Sequence, residues 1–284
     1  HSWISDGVEV LPIQEDSTAL VLWALWIHYQ CTKDIEFIRP LYKELVIKSA
    51  DFLVKHRDSE TLLPTASYDL WEERYGTHGY TVAAVIAGLR AAASFARLFR
   101  DMPLAETYDK VAGQMKAGIV QHLYSPSLER YARSGYRKDN GYELDEVIDV
   151  SLLGLATLGV LPPKDPRMVK TAEAIRRHLW LNTPVGGCAR YQNDTYQRED
   201  DTPEDVTGNP WFIATLWLGE YFIIRAENLQ ELHEAIPYLE WCGNNALPSG
   251  VLAEQVHPLS SAPLSVSPLT WSHSAFVWAV LQYT

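Results

Sequence analysis

The chain has 284 residues, of which 47% are hydrophobic and 21% are charged. This composition is typical of a globular protein and excludes a disordered, collagen-like or coiled-coil chain. The 24 Lys and Arg against 36 Asp and Glu give a net charge of −12 at neutral pH. An acidic chain without a basic cluster is a poor partner for nucleic acids and anionic membranes, whereas a neutral polar substrate meets no electrostatic objection.

The three cysteines, Cys31, Cys188 and Cys242, show none of the spacings of a zinc site or a disulfide framework. Small buried hydrophobes in a reducing compartment are the favoured interpretation, which leans toward a cytoplasmic location. No apolar run reaches the ~20 residues that cross a bilayer. The chain begins at His1 with neither an initiator Met nor a secretory signal, so the sequence leaves both export and the oligomeric state open.

Hydrophobic periodicity predicts that most of the chain is helical. The predicted helices span residues 15–32, 35–56, 80–99, 103–123, 144–159, 166–180, 210–226, 229–242 and 270–283. They alternate between helices that are apolar almost all round, as over 19–27, and helices with one charged face, as over 35–56. Short extended segments are predicted only near 186–192 and 250–256.

This alternation of five inner and four outer helices predicts an all-α fold, an (α/α)6 toroid with about nine of its twelve helices present. The chain starts on an inner helix, so we expect the missing helices upstream. No Pro-, Gly- or Ser-rich linker interrupts the alternation, which predicts a single domain over residues 1–284. Because the inner helices of such a ring begin at the same end, the loops that precede them should converge on one mouth.

The loops that precede the inner helices are rich in carboxylates, amides and aromatic rings. They comprise residues 12–16, 67–78, 140–146, 189–196, 208–211, 253–255 and 269–271. Aromatic rings stack on the apolar faces of sugars, and carboxylates and amides bind sugar hydroxyls. Two carboxyl groups then suffice for glycosidic cleavage, one as acid and one as base or nucleophile. A sugar site is the leading interpretation, and the alternative is that these acidic loops are simply solvated.

Five motifs, in this order and spacing, resemble glycoside hydrolase family 15, which contains glucoamylases, glucodextranases and bacterial trehalases. The motifs are Asp69-Leu70-Trp71-Glu72-Glu73, Arg190-Tyr191 with Asp194-Thr195-Tyr196, Gly208-Asn209-Pro210-Trp211-Phe212, Glu254-Gln255 and Leu269-Thr270-Trp271-Ser272-His273. The resemblance implies an (α/α)6 barrel that hydrolyses α-glucosidic bonds with inversion and releases glucose from the ends of α-glucans. It implies an α-glucan or α-glucoside partner, no organic cofactor and no obligatory catalytic metal.

The same resemblance assigns roles to individual residues. Glu72 aligns with the general acid and Glu254 with the general base that activates the attacking water. Gln255 aligns with a residue near that water, and Arg190 with an arginine that clamps sugar hydroxyls. The remaining residues of the implied substrate site are Asp69, Leu70, Trp71, Glu73, Arg74, Asp194, Trp211 and Trp271. An inverting enzyme separates its two carboxyl groups by roughly 6.5–9.5 Å, and its acid holds a proton before the reaction.

The sequence also departs from the family pattern. The family carries an upstream Trp-x-Arg-Asp motif that grips the sugar in the cleaving subsite, and residues 1–13 contain no match to it. The amino-terminal β-sandwich domain of prokaryotic members is not matched either. The chain therefore resembles the C-terminal three quarters of a catalytic domain. The linkage stays open among α-1,4, α-1,6 and trehalose, and the rival function is a non-catalytic glucan-binding fragment.

Several polar residues outside these motifs have simpler interpretations. Glu15 and Asp16 are expected to cap the first helix. His78 either shapes the pocket or packs at a helix start, and His273 is expected to contact the pocket. The acidic run 197–205 is interpreted as solvated surface, because the spacing of a calcium-binding EF-hand is absent.

Overall fold

The computed structural model describes residues 13–138 and 141–284, and the chain divides into two compact units. The first unit comprises His1–Ser125, Ala132–Asp145 and Leu158–Val160, and the second comprises Pro126–Tyr131, Glu146–Thr157 and Leu161–Thr284. The single domain over residues 1–284 stays a prediction. Pro12 and Asn140, the first residues of two predicted mouth loops, lie outside the described residues.

The helices of the first unit agree with the predicted ones to within one or two residues. They are α1 (Glu15–Thr32), α2 (Ile35–Leu41), a π-helical stretch (Tyr42–Ile47), α3 (Lys48–Lys55), α4 (Gly79–Leu98) and α5 (Met102–His122). The predicted helix 35–56 thus contains a π-helical stretch shortly after Pro40, which has no N–H for the preceding turn. Asp34 begins this run, because its carboxylate accepts a hydrogen bond from the N–H of Phe37.

Helix α4 forms the core of the first unit. Of its 20 residues, 16 are buried, and most of them are Ala, Val, Leu or Ile. A Cβ at Gly88 would lie 2.7 Å from the carbonyl oxygen of Ala19, so this glycine lets α1 approach α4 closely. By length and composition α4 would suffice to cross a membrane, but 78% of its apolar window is buried, as in the core helix of a soluble protein. The absence of a membrane partner stays a prediction.

Helix α1 differs from expectation in its burial. Its apolar sequence predicts a helix that is covered on most sides, yet only Glu15, Asp16, Ala19 and Leu22 are buried, and Val21 is 47% exposed. Within the described residues, α1 packs mainly against α4 and α3. Most of its other apolar side chains, such as Leu25 and Trp26, are half-buried, so full burial is confined to one stripe.

A four-stranded antiparallel sheet in the first unit was not predicted. It contains β1 (Ser67–Tyr68), β2 (Tyr75–His78), β5 (Ser134–Lys138) and β6 (Gly141–Asp145), in the order β1-β2-β5-β6. Thr77 lies opposite Gly135, and the five residues of β5 pair with all five of β6. Two further short strands are β3 (Tyr124–Ser125) in the first unit and β4 (Arg130–Tyr131) in the second.

The predicted helix 144–159 is therefore wrong over its first half. The chain is extended to Asp145, and helical structure begins only at Val150. The Asp145 carboxylate accepts hydrogen bonds of 3.0 and 2.6 Å from Nε and Nη2 of Arg133, which holds the end of β6 against a neighbouring segment. Strand β6 pairs with β5, which ends only shortly before it in the chain, and the two form a hairpin where a helix was expected.

The second unit is built around α8. Its elements are a 3₁₀ turn (Val150–Leu153), α6 (Gly154–Thr157), α7 (Pro166–Leu179), α8 (Phe212–Arg225), α9 (Leu229–Leu232), a second 3₁₀ turn (His233–Ala235), α10 (Ile236–Asn244), β7 (Gln255–Val256), β8 (Pro263–Leu264) and α11 (Thr270–Tyr283). Helix α8 packs against both α10 and α11. Strands β7 and β8 form the extended structure that was predicted near 250–256.

The three cysteines occupy two kinds of environment. Cys188 and Cys242 are buried, as predicted, and burial raises the pKa of both thiols, so they stay neutral. Cys31 is exposed, which contradicts the prediction of a buried hydrophobe. It lies in the last turn of α1, where the burial of that helix is least complete.

Helix α11 is fastened to α8 by a buried carboxylate. Oε1 of Glu220 accepts hydrogen bonds from the indole N–H of Trp278 (3.0 Å) and from Nε2 of Gln282 (2.8 Å). Elsewhere α11 is sparsely covered within the described residues, with Val277 55% and Leu281 63% exposed. Burial raises the pKa of Glu220. The acceptor oxygen matters more to this contact than the negative charge does.

We therefore expect Glu220→Ala to lower the free energy of unfolding by about 1–3 kcal/mol, because it removes the acceptor of both donors. Glu220→Gln keeps an acceptor oxygen and should cost clearly less. Urea unfolding at pH 7 followed by circular dichroism measures both variants. Equal losses for the two variants would contradict this account.

Candidate functional site

The loop between β1 and β2 carries the predicted acid, Glu72. The N–H of Asp69 donates to the carbonyl oxygen of Arg74, and the N–H of Glu72 donates to the carbonyl oxygen of Asp69, both at 2.9 Å. Within this tight turn Glu72 has a φ of +60°, which is uncommon for a residue with a side chain. Backbone strain of this kind is found where the surrounding structure fixes a functional side chain.

The carboxylate of Asp69 holds this loop in shape. Its Oδ1 accepts hydrogen bonds from the N–H groups of Glu73 (2.8 Å) and Arg74 (3.1 Å), and its side chain is almost fully buried. Oδ2 lies 3.5 Å from Nη1 of Arg74. Asp69 thus organises the loop, and its predicted contact with the substrate stays a prediction.

The residues of this loop differ in how far they are exposed to solvent. Trp71 is buried, Leu70 and Glu72 are half-buried, and Glu73 is exposed. Nη1 of Arg74 lies 2.8 Å from Oε2 of Glu73. The charge of Arg74 is therefore matched by the neighbouring carboxylates of Glu73 and Asp69.

His78 holds the ends of this loop through one ring nitrogen. Its Nε2 lies 3.2 Å from the carbonyl oxygen of Ser67 and 3.1 Å from that of Arg74, so Nε2 carries the proton. Burial lowers the pKa of His78 and keeps the ring neutral. Of the two interpretations left open by the sequence, packing is the one that these contacts support.

The N-terminus of α1 also supports the loop. Gln14 donates from Nε2 to the carbonyl oxygen of Asp69 at 3.1 Å. Asp16 is buried and accepts hydrogen bonds from the Thr81 hydroxyl (3.0 Å) and the N–H of Ser17 (2.7 Å). Glu15 is buried as well. Both carboxylates thus lie in the first turn of α1, as expected, and both are buried.

In the second unit, Arg190 and Asp194 form a buried ion pair. Nε and Nη2 of Arg190 donate to the two carboxylate oxygens of Asp194 at 2.7 and 2.8 Å. The guanidinium carbon lies 4.5 Å from the centroid of the Trp211 ring and 5.0 Å from those of Tyr191 and Tyr196. The arginine is therefore held rigidly by a carboxylate and an aromatic cage.

The predicted base, Glu254, precedes a fully buried glutamine. Gln255 donates from Nε2 to Oε2 of Glu254 at 3.3 Å, and its Oε1 accepts a hydrogen bond of 2.9 Å from Nδ2 of Asn209. The N–H of Phe212, the first residue of α8, donates to the carbonyl oxygen of Glu254. Gln255 thus orients a half-buried carboxylate beside the start of a core helix.

The first turn of α11 completes this part of the site. Trp271 is 36% exposed, and its ring meets that of Trp217 edge-on at 5.8 Å. The Ser272 hydroxyl donates to the carbonyl oxygen of Ala253 at 2.7 Å. His273 was expected to contact the pocket, but its Nε2 accepts a hydrogen bond from the N–H of Leu252, which anchors the segment that leads to Glu254.

The structure thus brings the predicted residues together in two groups, one in each unit. The first group is Asp69, Leu70, Trp71, Glu72, Glu73 and Arg74 on one loop, and the second is Arg190, Asp194, Trp211, Glu254, Gln255 and Trp271. Sequence reasoning missed the supporting roles of Asn209, Tyr196 and Gln14. Asn209 and Tyr196 lie inside recognised motifs and Gln14 lies in a predicted mouth loop, so position could have drawn attention to all three.

One group of possible metal ligands lies in the acidic loop. Glu199 and Asp201 are exposed, His257 is buried, and one ligand atom from each lies within 4.8 Å of the others. Nε2 of His257 is 2.9 Å from Oδ1 of Asp201, and its Nδ1 is 3.1 Å from the Ser260 hydroxyl. Hydrogen bonds within the protein account for the histidine, and the absence of a metal stays a prediction.

A helical fold with carboxylates and aromatic rings in the loops at helix starts is the arrangement expected from the sequence for a helical glycoside hydrolase. The sequence model of Glycosyl hydrolases family 15 matches residues 6–227. The chain belongs to this family.

Relatives and solved structures agree with this assignment. An uncharacterised glycosyl hydrolase of Methanocaldococcus jannaschii is 32% identical over 97% of this chain and 43% of its own length. A glucoamylase of a Clostridium species is 31% identical over 84% of this chain and 35% of its own. The crystal structure of a bacterial glucoamylase complexed with acarbose superposes with a TM-score of 0.79 and 25% identity, over 99% of this chain and 42% of that one.

These comparisons confirm the predicted fold class, because the glucoamylases in question have the (α/α)6 toroid fold. The chain spans less than half the length of the relatives that it matches. The family resemblance drawn from the five motifs is confirmed as well.

The buried Asp16 generates a prediction on pH. Burial raises its pKa from 3.8 to about 6, against the opposing effect of its hydrogen bonds. The folded state therefore binds the proton more tightly, so this group's contribution to stability is present at pH 4 and is lost as pH rises toward 6. Relative to Asp16→Asn, the wild-type protein should lose up to about 3 kcal/mol of unfolding free energy between pH 4 and 7. Urea unfolding of both proteins across this range measures the difference, and a constant difference would contradict it.

Proposed function

We propose that the protein is an inverting, exo-acting α-glucoside hydrolase of the glucoamylase type, with Glu72 as general acid and Glu254 as general base. The observation that carries the proposal is the setting of the two carboxylates. Each is half-buried, and each is flanked by buried side chains, Asp69 and Gln255, that are held by hydrogen bonds. Both are therefore accessible to a substrate and fixed in position, as acid–base catalysis requires.

In the proposed reaction, Glu72 donates its proton to the glycosidic oxygen while the bond from that oxygen to the anomeric carbon breaks. Glu254 takes a proton from a water molecule whose oxygen forms the new bond to the anomeric carbon on the opposite face. One water is consumed, and the two sugars leave with inverted configuration at the cleaved centre. An inverting mechanism needs room for that water between the base and the anomeric carbon.

The other predicted residues would hold the sugar. Trp71, Trp211 and Trp271 offer aromatic rings, and Glu73 and Arg74 lie where the family resemblance places the second sugar. Arg190 is rigid because Asp194 and three rings enclose it, so any contact that it makes with a sugar hydroxyl costs little entropy. The related glucoamylases support an α-glucan as substrate.

We expect Glu72→Gln and Glu254→Gln each to lower kcat on maltose by about 10²–10⁴-fold, the usual contribution of a positioned acid or base. Glucose release measures the effect, and circular dichroism checks folding. Glu106→Gln, on the exposed face of α5, is the matched control and should retain activity. Full activity in either site variant would contradict the assignment.

The stereochemistry and the linkage have their own tests. Proton NMR of freshly released sugar should show β-glucose from an α-linked substrate, and α-glucose would contradict inversion. Comparing maltose, isomaltose and trehalose decides between the glucoamylase, glucodextranase and trehalase alternatives. Binding of maltooligosaccharides without glucose release from any of the three would favour a non-catalytic glucan-binding protein.

A further inference from the structure

The first unit contains a cavity of about 330 Å³ outside the predicted catalytic residues. The sheet forms one wall, and the segment after α3 forms the other. The side chains that matter most are Asp58, Thr61, Tyr75, Tyr136, Arg137 and Tyr142. This volume lies at the lower end of the range for small-molecule sites, roughly 300–1,000 Å³. The cavity is therefore large enough for a small ligand or for one unit of a longer one.

Two glycines keep tyrosine rings flat against the sheet. A Cβ at Gly76 would lie 2.8 Å from Cε1 of Tyr136, and a Cβ at Gly135 would overlap the ring of Tyr142. Any larger residue at either position would displace these rings from the wall. The glycines therefore preserve a smooth apolar surface inside a cavity whose rim is polar.

Tyr75 extends this surface toward solvent. It is 61% exposed, and its ring meets that of Tyr68 edge-on at 5.7 Å. An aromatic ring that is held in place yet left exposed presents an apolar face to a ligand at little entropic cost. Pyranose rings have apolar faces that match an aromatic ring in size.

The polar rim favours a neutral ligand. Nη1 of Arg137 lies 3.1 Å from Oδ2 of Asp58, and the same guanidinium pairs with Glu60. The N–H of Thr61 donates to Oδ1 of Asp58, and this bond lowers the pKa of Asp58, so it stays ionised. One positive charge faces two negative ones, which disfavours anions such as phosphates and leaves hydroxyl-rich neutral molecules as the compatible class.

Tyr75, which lines the cavity, lies next in sequence to the loop that carries the proposed acid, Glu72. Tyr75 directly follows Arg74 and pairs with Tyr68 at the base of the loop that carries Glu72. At ~3.3 Å per extended residue, Tyr75 lies within about 10 Å of chain from Glu72. Glu72 and Tyr75 are thus close enough for a single oligosaccharide to reach both.

The geometry points to a second sugar-binding site, in which Tyr75 and the tyrosine-lined cavity bind a distal glucose unit of an oligosaccharide. This inference rests on the proposed function for the identity of the sugar. It assigns the preference for chain length to the β1–β2 hairpin and the β5–β6 strands, and not to the residues that carry the chemistry.

The test compares maltose with maltohexaose in the wild-type protein and in Tyr75→Ala. The ratio of kcat/KM for maltohexaose to that for maltose should fall about tenfold, because only the longer substrate reaches the stacking ring. Tyr75→Phe keeps the ring and should keep the ratio. Phe37→Ala removes an aromatic side chain that is 50% exposed on α2 and should change neither.

Isothermal titration calorimetry with maltohexaose separates this inference from the proposed function. If hydrolysis fails with both sugars but maltohexaose binds about tenfold more weakly to Tyr75→Ala than to Tyr75→Phe, the second site stands without the catalytic proposal. If hydrolysis occurs and the chain-length ratio is the same in all variants, the second site is overturned while the proposed function stands. Equal maltohexaose affinities in Tyr75→Ala and Tyr75→Phe also overturn it.

Discussion

The hydrogen bonds that the Asp69 carboxylate accepts from its own loop are the constraint on which the proposed acid depends. The oxygen that binds the N–H groups of Glu73 and Arg74 is almost fully buried, so losing it would leave main-chain donors without their acceptor. His78 and Gln14 secure the same loop through its carbonyl oxygens. The backbone beneath the reactive side chain is thus fixed from three sides.

The second unit follows the same rule with different chemistry. There, Gln255 is fully buried between Asn209 and Glu254, and the ion pair of Arg190 and Asp194 is enclosed by aromatic rings. Buried polar networks stabilise a fold only when their members are satisfied. In both units the carboxylate proposed for catalysis, Glu72 or Glu254, is half-buried. The neighbouring side chain that holds it in place, Asp69 or Gln255, is buried.

Most of the helices were predictable from the sequence, whereas the supporting contacts were not, and the identities of the site residues stay a prediction. Helices α1, α5 and α11 match their predicted bounds closely because a 3.6-residue period is a local signal. The sheet was missed because the pairing of Thr77 with Gly135 joins segments far apart in the chain. The contact of Asp16 was not predictable for a similar reason, since the Thr81 hydroxyl that donates to its carboxylate belongs to another helix.

The left-handed backbone of Glu72 has a consequence for engineering. Glycine and asparagine adopt that conformation at lower cost than glutamate, so the protein retains at this position a residue that its own backbone disfavours. Replacements that relieve this local conflict would raise the melting temperature while removing the carboxylate. Selection for thermal stability alone would therefore remove the residue that is proposed to supply the proton. Stability and activity are thus opposed at this one position.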